Sequence, residues 1–174
     1  RKDYLQYLRT KEISTQKKVS WSGDYLGKSV GKRFEIIEPR MPLKENAKYQ
    51  DWKIYFERFL PLLTHPYMLI GSSLGGVFLA KFLSENTLRK KALSVYLIAP
   101  PFDNTIPTED LVGGFKLKSD LSLLEKNCQN LHLLFSQDDD VVPVSHAAKY
   151  QKKLPSAHVV IYKSKGGHFK ISIF

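Results

Sequence analysis

The chain has 174 residues, a formal charge of +10, a single cysteine, and apolar and charged fractions of 43% and 25%. That size and balance exclude a disordered tail and allow one domain with a buried core. The lone Cys128 excludes an intramolecular disulfide and, with no cysteine and histidine grouped at ligand spacing, points to a reduced, cytoplasmic setting without a metal.

No apolar run reaches the length of a membrane span, and the opening Arg1-Lys2-Asp3-Tyr4 is not a signal peptide. The lysines are scattered, mostly as pairs near expected element ends, with no basic helix and no base-stacking motif, so neither a membrane nor a nucleic acid is expected as a partner. In chain order, Tyr4, Leu5 and Leu8 suit one face of a short helix that Ser20-Trp21-Ser22-Gly23 would end. Phe34–Glu38 reads as a strand closed by Pro39 and Pro42. Asn46–Leu63 reads as an amphipathic helix whose Trp52, Tyr55, Phe56 and Phe59 form a core stripe.

Tyr67–Ile70 is a short apolar strand, followed by the turn Gly71-Ser72-Ser73-Leu74-Gly75 and then by Val77, Phe78, Ala80, Lys81 and Phe82 at helical spacing. Further strands are expected at Ala92–Ala99, Leu131–Phe135 and His158–Tyr162, with helices at Leu121–Glu125 and Ser145–Leu154. Between them, Phe102–Lys118 carries Pro107 and Gly113-Gly114 and reads either as a loop over the carboxyl edge of the sheet or as an ordinary surface crossover. Strands alternating with helices indicate an α/β fold with a mostly parallel sheet flanked by helices.

The strand–turn–helix around Ser73 is the context a G-x-S-x-G motif requires, with a serine hydroxyl exposed on a sharp bend. Only Ser73 has a glycine two positions away on both sides; the equivalent positions for Ser72 are Ile70 and Leu74. A Cβ at either Gly71 or Gly75 is expected to clash where strand and helix pass close together. The bend also leaves the Leu74 N–H at a helix N-terminus, free to receive an oxyanion. Small residues at such a turn also suit a plain βα connection, so partners decide. A serine hydroxyl needs a base, usually a histidine held by a carboxylate.

Two later stretches supply them. Asp138-Asp139-Asp140 follows the third apolar strand, and Gly166-Gly167-His168-Phe169 follows the last. The aspartates also suit a solvated turn capping the next helix. His65, His132, His146 and His158 lie in or beside expected elements and read as structural or solvated. With Ser73, an acidic triplet and His168 each just after a strand, the chain from about Phe34 to Phe169 resembles the α/β-hydrolase superfamily, and most closely its small serine hydrolases of the retinoblastoma-binding-protein type.

That resemblance implies a three-layer sandwich and a Ser-His-Asp triad. It assigns the acid to Asp139, four residues before Pro143 in a D-x-x-V-P turn, and the base to His168. The chain departs from such hydrolases at its start, where no early strand ends in His-Gly to supply a second oxyanion donor. That strand would lie between those at Phe34–Glu38 and Tyr67–Ile70. A closing helix is also absent after His168, so the chain is expected to be part of a longer protein. The expected function is a cytoplasmic, carboxylesterase-like serine hydrolase that takes a small acyl substrate and needs no cofactor. The competing expectation is a non-catalytic binding protein that uses the same fold, its basic surface or the 102–118 loop.

Overall fold

A computed structural model describes residues 33–106 and 110–170, together with the isolated positions Gln6, Arg9, Thr10, Lys28 and Ser29. The expected N-terminal stripe of Tyr4, Leu5 and Leu8, and its break at Ser20–Gly23, lie outside the described residues. The fold separates into two compact units, Arg1–Leu62 with Ser172–Phe174, and Leu63–Ile171.

In the first unit, Phe34–Glu38 is not a strand. An apolar run becomes a strand only where a neighbour accepts its ladder, and no described residue pairs with it. The helix expected over Asn46–Leu63 is shorter: a 3₁₀ turn at Lys44–Asn46, helix α1 at Tyr49–Glu57 and a second 3₁₀ turn at Leu60–Leu62. Pro61 prevents the α-helix from running on, because it has no N–H to give the Glu57 carbonyl four residues back. The aromatic stripe is as expected: Trp52, Tyr55, Phe56 and Phe59 are all buried. Tyr55 and Phe59 meet edge to face at 5.3 Å, and Trp52 Nε1 donates to the Pro42 carbonyl at 2.8 Å.

The second unit alternates strand and helix: β1 Met68–Ser72, α2 Leu74–Glu85, β2 Ala92–Ile98, α3 Ser122–Lys126, β3 Cys128–Ser136, α4 Ser145–Lys153 and β4 His158–Tyr162. The strands form a four-stranded, all-parallel sheet in the order β1-β2-β3-β4. Parallel neighbours need crossovers, and right-handed crossovers stepping one strand at a time bring their helices to one face. The burial pattern agrees. Leu69, Val95, Leu97, Leu131, Leu133 and Phe135 alternate onto a fully covered face, whereas Ile70 on the opposite face is 49% exposed.

Register decides what the sheet presents. Ser72 pairs with Ile98, Ile98 with Leu134, and Ser136 with Tyr162, so all strands end along one edge. The residues immediately after β1, β3 and β4 therefore emerge together, as expected for an α/β fold that builds its site at the carboxyl ends of its strands. The loop after β2 stays beside this edge. Phe102 N–H donates to His146 Nδ1 on α4 at 2.8 Å, and Lys81 Nζ on α2 donates to the Lys116 carbonyl at 2.8 Å.

Candidate active site

Ser73 sits between β1 and α2 with φ 51° and ψ −121°, a left-handed backbone that costs a non-glycine residue about 1–3 kcal/mol. Backbone bonds impose it: the Ser73 N–H donates to the Ile98 carbonyl at 2.8 Å, and the Ser73 carbonyl accepts from Val77 N–H at 3.1 Å. A serine opening a helix ordinarily caps it with its hydroxyl. Ser73 makes no such cap, so its half-buried hydroxyl is left for other work. Leu74 is the first helical residue, and its N–H belongs to the turn that has no intrahelical acceptor. Ser72, by contrast, is the exposed last residue of β1.

The glycines around this bend are not equivalent. A Cβ on Gly71 would lie 2.5 Å from the Gly75 carbonyl oxygen and 2.8 Å from Leu79 Cδ1. On Gly75 it would meet nothing within 4 Å, which corrects the expectation that both flanking glycines are sterically required. The second tight position is Gly76, where a Cβ would stand 3.1 Å from both the Gly71 carbonyl oxygen and Pro100 Cβ. The helix therefore approaches the strand one residue further along than motif spacing suggests.

The aspartates after β3 all reach the segment after β4, each in its own way. Asp139 is the one that meets the histidine: His168 Nδ1 lies 3.0 Å from Oδ1 and 2.9 Å from Oδ2. Asp139 Oδ1 also accepts from the N–H groups of Val141, at 2.9 Å, and Val142, at 2.8 Å. Its side chain is only 1% exposed. Burial alone would push its carboxyl up, but the His168 bond and the Val142 and Val141 N–H groups outweigh that and hold it below the usual carboxylate range. An ionised carboxylate only accepts, so the ring proton sits on His168 Nδ1. In the neutral ring Nε2 then carries the lone pair; it is buried and has no hydrogen-bond partner among the described residues.

Asp138 grips the backbone rather than the ring. Its Oδ1 accepts from the Ser136 hydroxyl and, at 2.9 Å, from Lys165 N–H; its Oδ2 accepts from the Ser164 hydroxyl at 2.5 Å and Gly167 N–H at 3.0 Å. The two hydroxyls first, then the two N–H groups, hold its carboxyl well below the usual range. Asp140 Oδ1 accepts from His168 N–H at 3.2 Å, and its Oδ2 meets Lys170 Nζ at 3.3 Å. The triplet is thus not a solvated turn capping α4, the plainer reading its sequence allows. Phe169 completes the grip, with φ 49° and a 3% exposed ring packed edge to face on Tyr162.

The competing histidines are engaged elsewhere or open to water. His146 is fully buried and holds Phe102; His132 stacks between Tyr96 and His158; His65 is exposed. A cavity of about 390 Å³ within the 102–118 loop is lined by Asp103, Asn104, Thr105, Leu111 and Lys116, and none of Ser73, Asp139 or His168 borders it. Among the described residues no three His, Cys, Asp or Glu side chains group as a metal would require, and no helix is long and apolar enough to cross a membrane. The sequence reading missed Gly76, Pro100 and the roles of Asp138 and Ser164. The paired glycines at 166 and 167 were the available signal, since their φ values of 69° and 82° mark the turn that Asp138 holds.

Comparison with known proteins bears on the family and the fold. YdeN of Bacillus subtilis is 25% identical over 141 residues, covering 80% of this chain and 71% of YdeN. The crystal structure of the ydeN gene product superposes with a TM-score of 0.66 at 22% identity, covering 74% of this chain and 68% of that one. A meta-cleavage product hydrolase from Pseudomonas fluorescens shares the fold at a TM-score of 0.65 and 11% identity, over 90% of this chain and 81% of its own. The family profile described as Serine hydrolase matches residues 21–172. A profile spanning that much of the chain, over a parallel sheet that turns at Ser73 as such a fold requires, makes this protein a member of the serine hydrolase family within the α/β-hydrolase superfamily.

Proposed function

We propose that the protein hydrolyses a small carboxylic ester, thioester or amide, with Ser73 as nucleophile, His168 as base and then acid, and Asp139 as the group that orients and charges against the imidazole. The observation that carries this reading is the state of His168. Nδ1 is committed to an ionised, buried Asp139, while Nε2 is buried and unpartnered among the described residues. A buried ring nitrogen without a partner costs stability, and a hydroxyl donor, that of Ser73 in this proposal, would relieve it. The sheet supports the spacing: Ser73 follows β1 and Asp139 follows β3, two strand spacings or about 10 Å apart, a gap that an imidazole hydrogen-bonded at both ring nitrogens can span.

In the first step Ser73 Oγ bonds to the acyl carbon as its proton passes to His168 Nε2, and the carbonyl electrons move onto oxygen. The Leu74 N–H stands at the helix start to receive that oxyanion. Collapse expels the alcohol, thiol or amine, which takes the proton from Nε2 and leaves an acyl ester on Ser73. Water then attacks, giving its proton to Nε2, and release of the carboxylic acid restores the hydroxyl.

A fluorophosphonate probe tests the reading directly. The intact protein is expected to be labelled, Ser73→Ala to lose both labelling and acyl-ester turnover, and Ser72→Ala to keep labelling. Labelling of Ser73→Ala at the wild-type rate would show that the nucleophile is another residue.

A further inference from the structure

We infer that Asp138 is a positioning residue for His168, fixing the backbone that carries the imidazole to Asp139; this rests on His168 being the base. The segment after β4 has no regular structure of its own and contains Gly166 and Gly167 in left-handed geometry. Glycines reach that geometry easily and leave it as easily. The ring bond to Asp139 fixes one end of the side chain only. A ring held at Nδ1 alone still swings with its backbone, and a misplacement of about 1 Å in a reacting group costs roughly 100-fold in rate.

Asp138 removes that freedom. It is an exposed carboxylate, yet its oxygens are committed to Ser136, Ser164, Lys165 and Gly167, three of them in the stretch just before His168. A carboxylate is the only side chain of that size that accepts on both oxygens. None of these bonds goes to α4, so Asp138 does not cap the helix that follows it. Asp140 adds a further bond, to His168 N–H, and the approach is close enough that a Cβ on Gly167 would lie 2.9 Å from Asp140 Oδ1. Successive residues of one turn thus hold the loop, the ring and the histidine backbone.

Asparagine at position 138 would present an amide N–H₂ to groups that themselves donate, releasing at least one side of the grip. The test uses the intact protein with Asp138→Asn and Ser164→Ala. It measures steady-state turnover of a short-chain chromogenic acyl ester and the downfield proton resonance of the His168 Nδ1–H. Asp138→Asn is expected to lower kcat by about 10- to 100-fold with KM within about twofold, and to broaden or erase the resonance. Ser164→Ala is expected to move both in the same direction by less. Wild-type kcat with an unchanged resonance in both variants would overturn the inference. A loss expressed in KM with the resonance intact would overturn it too, since that pattern belongs to substrate binding. If Asp138→Asn does not fold, Ser164→Ala decides by the same criteria. If the wild-type protein turns over no ester, the base assignment fails, whereas the resonance still reports whether Asp138 holds the ring.

Discussion

Asparagine in place of Asp139 would keep the shape of the side chain and change what faces His168. The N–H groups of Val141 and Val142 would retain the amide oxygen at Oδ1, which leaves the amide nitrogen where Oδ2 now stands, 2.9 Å from Nδ1. Two donors cannot face each other, so the ring proton would move to Nε2 and the lone pair needed by Ser73 would be lost. Turnover of Asp139→Asn is therefore expected to fall by about 10⁴-fold with the fold intact, as measured by ester hydrolysis beside thermal unfolding. Near-normal turnover would remove Asp139 from the site. Cys128 gives a contrasting expectation: burial, with the nearby Glu125 adding to it, pushes its thiol up to about 11. It should resist iodoacetamide at neutral pH in the folded protein and react once denaturant is added.

At the scale of elements, the bend at Ser73 depends on how closely α2 passes β1, and the two motif glycines should separate cleanly on that account. Gly71→Ala forces a Cβ against the Gly75 backbone and should destabilise by about 1–3 kcal/mol. Gly75→Ala meets open space in a helix that favours alanine over glycine, and should be neutral or stabilise by up to about 1 kcal/mol. Denaturant unfolding of both variants checks the pair; equal destabilisation would refute the asymmetry. The strand–turn–helix around Ser73 was legible because Gly71 and Gly75 flank a turn between an apolar strand and an apolar run at helical spacing. The strands were legible wherever a covered face alternates, as at Leu131, Leu133 and Phe135. Phe34–Glu38 was misread because apolar content says nothing about whether a ladder partner exists, and α1 was drawn too long because its aromatic stripe continues to Phe59 past the helix end. The acid could be assigned to Asp139 only through family resemblance, since adjacent aspartates differ in partners and not in kind.

For the molecule as a whole, the carboxylates that hold loops set its behaviour in acid. Asp138, Asp139 and Asp103 all have carboxyls held below their ordinary values, Asp103 at about 2. A depressed folded-state value contributes stability that is present above the unfolded value near 3.9 and is lost as pH falls through the folded one. The denaturant midpoint should therefore hold steady above about pH 5 and fall between about pH 4 and 2, with a shallower fall in Asp138→Asn. A midpoint flat down to pH 2 would show that these bonds do not couple to folding. The common ending of the strands has one more consequence, in time rather than in energy. No two neighbouring strands are joined by a hairpin, so every pairing must close a long crossover, and pairings of that kind form slowly and together. Ser73 needs β1 on β2, and His168 needs β4 on β3, so on the proposed assignment a half-zipped sheet holds the serine with no base in reach. Competence for the fluorophosphonate probe should accordingly appear during refolding in step with the last gain of circular dichroism, making the proposed acyl-transfer site a clock for completion of the sheet.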